Sequence, residues 1–443
     1  MKRKLLVCAC AVAAAVAAPS AFATNGYFAH GYGMKAKGMA GASTAIADDA
    51  MGGASNPAKM VWVGNRIDFG ADLFSPRRSA ERFGTSGFGT GMNGAADSGS
   101  NYFLIPEFGY NRMINPNLSL GVTVYGNGGM NTDYPGGQIG AGTACAGFNA
   151  AGPAGAPYNL LCGSGRLNMD MMQLIIAPTA AYKVAPNHSL GVSPLFAYQR
   201  FKIDGLQGFV GYTPSGTVNS LTNQGYDSST GWGVRVGWMG KLSDSVTVGA
   251  AYSSKMKMGK FDKYKELFAD QGLFDIPENY NLGLAFKATP KTTIAVDYQR
   301  INYSAISSVA NPSTNFGAAI GSTLGVAGGR GFGWGDVNVI KVGIEYQYSQ
   351  NLTLRGGFNH GDNPIQARDV TFNIIAPGVV QDHLTLGLTH KTRTGGELTL
   401  AYMHAFNRSV TGSSLFNTWV PGTGSETIKM YQNSFGIAYG WKM

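Results

Sequence analysis

The chain has 443 residues, of which 64 are glycine, 11 % are aromatic and only 13 % are charged. A soluble protein usually carries about 25 % charged residues, so this composition argues against an ordinary soluble domain. The formal charge of +9 is spread along the chain without a basic cluster or a nucleic-acid reader motif. Nucleic acid is therefore not an expected partner.

The first 23 residues have the pattern of a secretory signal peptide. Basic residues at 2–4 precede an apolar stretch over 5–18, and Ala21-Phe22-Ala23 forms a cleavage site. The apolar stretch is too short for a membrane-spanning helix. We therefore predict export, with cleavage after Ala23.

Residues 24–63 form a glycine-rich segment that does not alternate between apolar and polar positions. Small residues such as those at 40–47 favour compact packing in a confined space, although a disordered periplasmic tail is the alternative. The segment ends in Asn56-Pro57-Ala58, and an Asn-Pro pair favours a turn. We predict a plug over 24–63 inside a barrel, with gating by Asn56, Pro57 and Ala58.

From residue 64 to 443 the chain consists of strand-like runs of about ten residues, joined alternately by tight turns and long loops. The runs number 14, which puts both chain ends on the same side of a barrel. The tight turns lie at 115–117, 185–187, 243–244, 289–291, 349–351 and 393–396. The long segments lie at 76–100, 127–169, 204–228, 257–275, 304–334, 362–380 and 409–429.

Side chains in these runs alternate in character, as in a strand with one apolar face. Ile340, Val342 and Ile344, for example, oppose Lys341 and Glu345. A soluble secreted β protein also alternates, but the signal peptide, the order of connections and the aromatic residues near run ends favour a membrane barrel. We predict an all-β fold, a 14-stranded antiparallel transmembrane β-barrel in the outer membrane of a Gram-negative bacterium.

Cys145 and Cys162 are the only cysteines after residue 23, and both lie in the second long loop. In an oxidising compartment we expect them to pair, which would stabilise the fold by about 3 kcal/mol in the chain-entropy model. The alternative is a reactive or metal-binding thiol pair.

A candidate capture site lies in the loop over 257–274, where apolar residues recur at helical spacing between lysines and predict an amphipathic helix. The alternative is a loop helix that packs on its neighbours. The candidate ligand contacts are Phe261, Leu267, Phe268 and Phe274 in this loop, Phe209 and Tyr212 in the preceding long loop, and Tyr27 and Phe28 near the N-terminus.

Two basic residues could bind a carboxylate ligand inside the barrel. Lys341 lies on the polar face of its run, and Arg355 lies between Leu354 and Gly356. A charge in a dry pocket needs a partner. The alternative pairs both cations with Glu345, Asp48 or Asp49.

No enzyme motif is present: the sequence has no phosphate-binding loop, no G-x-S-x-G and no HExxH. The Gly331–Gly335 run precedes a strand-like run, unlike a dinucleotide-binding loop. We expect no catalysis, no cofactor and no metal site.

Several motifs resemble the FadL-type outer-membrane long-chain fatty acid transporters. These are Gly38-Met39-Ala40-Gly41-Ala42, Ala47-Asp48-Asp49-Ala50, Asn56-Pro57-Ala58, Ile276-Pro277-Glu278-Asn279-Tyr280, Leu354-Arg355-Gly356-Gly357-Phe358, Asn363-Pro364-Ile365 and His383-Leu384-Thr385-Leu386-Gly387. The resemblance covers the whole chain after the signal peptide. The non-aromatic ending Trp441-Lys442-Met443 departs from the usual aromatic last residue of such barrels.

The resemblance implies passive uptake of hydrophobic compounds, most readily long-chain fatty acids. The ligand would be captured by the loops, released by a shift of the N-terminal hatch and passed sideways through a kink near the third strand. Aromatic or alkane hydrocarbons are alternative substrates. Two alternatives concern the function itself: a non-transporting structural or receptor protein, and a general porin, which the hatch disfavours. Expected partners are the hydrophobic ligand, outer-membrane lipid and lipopolysaccharide, with a monomeric chain.

Overall fold

The computed structural model describes residues 25–86, 90–149, 155–315, 323–418 and 422–443; the predicted signal peptide lies outside them. Fourteen long antiparallel strands close into a barrel, because the first pairs with both the second and the last. They are β1 Arg66–Phe83, β2 Phe103–Asn115, β3 Leu118–Tyr134, β4 Leu167–Ala185, β5 His188–Asp204, β6 Asp227–Lys241, β7 Val246–Ser253, β8 Asn279–Thr289, β9 Thr292–Ile301, β10 Val337–Gln347, β11 Leu352–Gly361, β12 Asp382–Lys391, β13 Gly396–Ser413 and β14 Ser425–Lys442.

The remaining elements are short and lie in the N-terminal segment and the loops. The helices are α1 Met34–Lys37, α2 Met60–Val63, α3 Cys145–Phe148, α4 Ala269–Gly272, α5 Ser307–Ala310 and α6 Val370–Asn373. Single 3₁₀ turns occupy Ala50–Ala54, Pro57–Lys59, Gln207–Tyr212, Asp262–Tyr264, Tyr303–Ala305, Ala367–Asp369 and Leu415–Thr418, and short strands occupy Thr85–Ser86, Thr90–Gly91, Gly94–Asp97 and Lys257–Met258. Among the described residues no helix is long and apolar enough to cross a membrane.

The predicted strand number and all six tight turns are confirmed. The predicted loop boundaries are less accurate, because several strands continue into segments that looked like loops. β1 extends to Phe83 and β3 to Tyr134, where both strands contain glycine or polar residues that weaken the alternation signal.

The two faces of the barrel follow the alternation in the sequence. In β10 the outward side chains of Ile340, Val342 and Ile344 are between two-fifths and half exposed, whereas Lys341 points inward and is buried. Burial of inward polar groups inside a barrel requires partners, and the N-terminal segment supplies them.

Residues 25–63, hereafter the N-terminal segment, contact the inner wall around most of its circumference. The Lys37 ammonium pairs with Asp72 of β1 at 2.6 Å, and the backbone N–H groups of Ser43 and Thr44 donate to Asp297 of β9. The Ala40 N–H donates to the Thr385 hydroxyl of β12. The segment is therefore fixed to opposite sides of the barrel by buried polar contacts.

Candidate functional site

A small apolar cavity of about 30 Å³ lies beneath the long loops, next to the upper ends of β4 and β5. A ligand larger than a few atoms therefore enters it only if the lining side chains move apart. Its lining is aliphatic and aromatic except for one serine and one arginine: Leu161, Met169, Phe201, Ile203, Leu206, Phe209, Leu267, Phe268, Ser308, Leu324, Arg330, Gly331, Phe332, Phe372 and Ile375. The cavity suits the apolar part of a ligand.

Three predicted ligand contacts, Phe209, Leu267 and Phe268, line this cavity. Two others lie directly behind its wall. The Phe261 ring is 5.5 Å from that of Phe201, and the Phe274 ring is 5.0 Å from that of Phe268.

The remaining aromatic candidates lie on either side of the cavity. Tyr212 is not among the lining residues, but its ring packs 5.7 Å from Phe209. Tyr27 and Phe28 lie below the cavity, on the N-terminal segment, with their ring centroids 5.4 Å apart.

The amphipathic helix predicted over 257–274 is wrong. The segment begins as the short strand Lys257–Met258 beside β6 and then forms a 3₁₀ turn and the four-residue α4. Asp270 and Gln271 adopt positive φ angles of 56° and 61°, which a regular helix does not allow. The apolar spacing reflects side chains that pack inward from an irregular loop.

Arg330 is the functional candidate that sequence reasoning missed. Its side chain is buried at the cavity wall, where Nε donates to the Thr323 hydroxyl at 2.7 Å and Nη1 to the Ser313 carbonyl at 2.5 Å. The guanidinium also lies 4.9 Å from the ring centre of Tyr212. The available signal was that Arg330 is the single basic residue between β9 and β10 and lies between two glycines.

Lys341 and Arg355 lie outside the cavity and contact the N-terminal segment. The Lys341 ammonium donates to the His30 carbonyl at 3.0 Å. Arg355 pairs with Glu345 at 2.6 Å and lies 3.7 Å from Asp48. For Arg355, the alternative predicted from the sequence, pairing with nearby carboxylates, is therefore confirmed. Both cations connect the barrel wall to the N-terminal segment.

An aromatic column leads from the cavity down to the N-terminal segment. Phe268 contacts Phe274, whose ring is 6.1 Å from that of Tyr27. The Tyr27 ring in turn lies 5.1 Å from Tyr303 and 5.9 Å from Trp334. Rings at these separations form a continuous apolar surface.

A second, smaller space of about 10 Å³ lies on the far side of Trp334. Its lining comes from β1, β3, β14 and the loop before β12, and comprises Phe74, Pro76, Arg78, Met130, Asn131, Trp334, Ala376, Pro377, Gly378 and Met430. The column therefore connects the loop cavity with the inner surface of β3.

The barrel wall has a gap between the upper halves of β2 and β3. Their pairing runs only from Asn115↔Leu118 to Phe108↔Val124, whereas for residues 125–134 of β3 the one neighbouring barrel strand is β4. The gap ends above at the hydrogen bond from the Gly99 N–H to the Asp133 carbonyl. An apolar ligand in the second space thus faces a gap in the wall rather than a continuous sheet.

A bulge at Asn127 bends β3 away from β2. Gly126 pairs with Leu174 and Gly128 with Gln173, so Asn127 is an extra residue relative to β4. Such bulges sharpen the local twist of a strand. This register shift lies in β3, and the resemblance implied a kink near the third strand.

The N-terminal segment occupies part of this gap. Phe28 forms an antiparallel bridge with Gly128, on the edge of β3 that is not paired with β2. Two backbone hydrogen bonds flank this bridge: the Ala29 N–H donates to the Asn127 carbonyl, and the Gly129 N–H donates to the Tyr27 carbonyl. A Cβ atom at Gly128 would lie 1.9 Å from the Tyr27 carbonyl oxygen, so only glycine permits this approach. Residues 27–29 thus replace β2 for a short distance.

The predicted turn Asn56-Pro57-Ala58 lies against β5 and β6. The Asn56 side chain caps the turn by accepting from the Ala58 N–H, and its amide donates to the carbonyls of Thr44 and Trp238. Cβ atoms at Gly191 or Gly237 would collide with this turn. The turn is therefore seated on the wall, with its polar groups satisfied.

Buried charges hold the centre of the segment. Although burial alone would lower it, Asp72 and Glu107 raise the pKa of Lys37, so its ammonium stays charged. Burial, together with the nearby carboxylates of Asp48 and Asp68, raises the pKa of Asp49 to about 7.

Cys145 and Cys162 form a disulfide with their Cα atoms 4.9 Å apart. Leu161, the neighbour of Cys162, lines the loop cavity, and the Asn159 carboxamide oxygen accepts from the N–H groups of Leu161 and Gly163. The disulfide thus ties α3 to one wall of the cavity.

Residues 162–422, more than half of the chain, match the family of outer membrane protein transport proteins described as OMPP1/FadL/TodX. The chain belongs to this family. The FadL-type resemblance inferred from the motifs is confirmed, and the protein is a transport protein of the Gram-negative outer membrane. Comparison with curated protein sequences gives no match.

Solved structures of this family share the fold at low sequence identity. The Pseudomonas putida toluene transporter TodX is 17 % identical, with a TM-score of 0.65 over 94 % of this chain and 99 % of its own. A Pseudomonas aeruginosa FadL homologue is 13 % identical, with a TM-score of 0.67 over the same shares. The Ralstonia pickettii toluene transporter TbuX is 16 % identical, with a TM-score of 0.59, also over 94 % and 99 %.

Proposed function

We propose that this FadL/TodX-family protein takes up long-chain fatty acids passively across the outer membrane, without catalysis. The observation that carries the proposal is Arg330, a buried arginine in the wall of an otherwise apolar cavity. A fatty acid offers a carboxylate for the guanidinium and an acyl chain for the phenylalanine and leucine side chains. Hydrogen bonds between charged groups are stronger than neutral ones.

The proposed route follows the apolar surface inside the barrel. The ligand enters the loop cavity, passes along the aromatic column to the space beside Trp334 and leaves sideways through the gap between β2 and β3. Residues 27–29 close part of that gap, so their withdrawal from β3 opens it. As the family resemblance implies, transport runs down the ligand gradient.

Uptake of aromatic hydrocarbons is the second candidate. Five phenylalanines line the cavity, and a planar ligand could stack on them: Phe201, Phe209, Phe268, Phe332 and Phe372. Solved relatives include toluene transporters. Such a ligand has no carboxylate, so the two candidates differ in their need for Arg330. Membership of a transport family disfavours the non-transporting alternative.

Replacing Arg330 by methionine should lower oleate uptake about tenfold or more. A hydrogen bond to a charged group contributes about 1.5–3 kcal/mol, which corresponds to roughly ten- to hundredfold in affinity. Toluene uptake should change less than twofold. The measurement is uptake of both labelled compounds by cells that depend on this protein, normalised to folded barrel on a heat-modifiability gel.

Arg330→Lys should keep most of the oleate uptake because it keeps the charge. Arg112→Gln, an exposed arginine at the periplasmic end of β2, serves as the matched control and should change neither uptake. Toluene uptake without oleate uptake in the parent protein would favour the aromatic alternative.

Replacing Asn56 and Pro57 together by alanine should change uptake severalfold at unchanged barrel levels. The double variant removes the cap to Ala58, the amide contacts to Thr44 and Trp238, and the fixed φ of proline. No strand pair is altered, so assembly is retained. Unchanged oleate uptake would show that this turn only packs the segment.

A further inference from the structure

An apolar groove bordered by exposed lysines runs along the outer wall of the barrel at β4, β5 and β6. The groove has a volume of about 580 Å³. Its lining residues are Leu174, Ile176, Phe196, Ala197, Tyr198, Thr230, Gly231, Trp232, Lys257, Met258 and Gly259. It lies on the outer surface and is separate from the ligand cavity and from the gap between β2 and β3.

The apolar part of the groove faces outward on β5 and β6. Phe196 pairs in register with Trp232, and Trp232 pairs with Lys257 on its other side. The side chains of Phe196 and Trp232 are 54 % and 65 % exposed, so more than half of each large ring has no protein cover. Neighbouring strands lie about 4.8 Å apart, which places the two rings and the Lys257 side chain in one row.

A second row of cations lies closer to the extracellular loops. Arg200 pairs in register with Ser228, and the Gly259 N–H donates to the Thr230 carbonyl, which brings Lys260 to the other side of the same strand. The Arg200 guanidinium lies 4.2 Å and the Lys202 ammonium 5.4 Å from the ring centre of Tyr226. The row therefore combines cations with a half-exposed aromatic ring.

Within the described ranges, Asp227 accepts from the backbone N–H groups of Ser228 and Lys263, and Asp262 is an exposed carboxylate on the same loop as Lys260. Three other nearby carboxylates are paired with cations. Asp170 lies 3.8 Å from Arg200, Asp204 lies 3.2 Å from Lys202, and Asp275 lies 3.6 Å from Lys255. Lys257 and Lys260 are exposed and form no ion pair in the part of the chain that the structure describes. These two ammonium groups can donate hydrogen bonds to an external anion.

We propose that Lys257 and Lys260 bind the phosphorylated headgroup of one lipid A moiety of lipopolysaccharide, whose acyl chains lie in the groove beside Phe196 and Trp232. The long loops mark this end of the barrel as extracellular, and lipopolysaccharide forms the leaflet there. Charge complementarity selects the phosphates, and the apolar row below them matches acyl chains. Cations at a membrane surface attract anionic headgroups in this way.

The test is native mass spectrometry of the purified full-length protein with added lipid A. The Lys257→Gln/Lys260→Gln variant should retain at least fivefold less bisphosphorylated lipid A than the parent protein. The matched control is Lys287→Gln/Lys391→Gln, which removes two exposed lysines from the periplasmic ends of β8 and β12 and should change retention less than twofold. Heat-modifiable migration on a gel verifies that both variants are folded.

Two further arms identify the source of the anion. Dephosphorylated lipid A should bind the parent protein and the groove variant equally, because it lacks the group that the lysines recognise. Millimolar inorganic phosphate should leave bound lipid A in place. Equal loss in the groove variant and the control, equal loss of dephosphorylated lipid A, or displacement by inorganic phosphate would each overturn the proposal.

Discussion

Deletion of Asn127 should lower uptake of the transported ligand at least tenfold while the barrel still assembles. Asn127 is the extra residue of the β3 bulge, and every other residue from 118 to 134 keeps its partner on β4 when it is removed. Without the bulge β3 straightens toward β2, and the gap above Phe108↔Val124 closes. The measurement is uptake of labelled oleate and toluene, normalised to heat-modifiable barrel.

Asn127→Ala is the matched control for this deletion. It keeps the backbone bulge and the carbonyl that accepts from Ala29, but it removes the side-chain contacts to Tyr32 and Gln173. We expect this variant to retain at least half of the parent uptake. Full uptake by the deletion variant would contradict exit through the gap, and equal loss in both variants would assign the effect to the side chain.

Replacing Lys37 by methionine should release the N-terminal segment and raise the ion conductance of the barrel in planar bilayers severalfold. Lys37 and Asp72 form an ion pair that is almost completely buried, with Glu107 close by. Removal of one partner of such a pair typically costs about 3–5 kcal/mol, because the remaining charge is buried without compensation. A released segment leaves water-filled space in the lumen.

The double variant Lys37→Met/Asp72→Leu should recover a large part of the closed state, because an apolar pair replaces the ion pair. Limited proteolysis from the periplasmic side gives a second readout, since a released segment is cleaved and a seated one is protected. Low conductance and protease resistance in the single variant would show that this pair does not hold the segment.

The barrel itself was predictable because its signals are local. Alternation in runs such as 336–348, tight turns every second connection and outward aromatic residues each follow from the environment of a single strand. The strand number and the lipid-facing residues followed from these signals. Strand ends were less predictable, since β3 continues through Asn127 and several glycines whose strand conformation depends on β4 and on the N-terminal segment.

The site was predictable only in composition. Phe209, Leu267 and Phe268 were recognised as apolar residues in loops, and they line the cavity. Arg330 was missed because its position at the cavity wall depends on Ser313 and Thr323, which lie in another part of the same long loop. The sequence suggested that Lys341 and Arg355 bind a ligand carboxylate in the lumen. In the structure Lys341 donates to the backbone carbonyl of His30, and Arg355 pairs with the carboxylate of Glu345.

The disulfide between Cys145 and Cys162 links the ligand cavity to the redox history of a protein sample. Leu161 forms part of the cavity wall, and the adjacent Cys162 is tied to α3 only when both sulfurs are oxidised. Protein extracted from membranes has passed through an oxidising compartment, whereas protein refolded from cytoplasmic inclusion bodies starts with free thiols. Ligand affinities from the two preparation routes are therefore comparable only after the thiols of the refolded sample have been oxidised and counted.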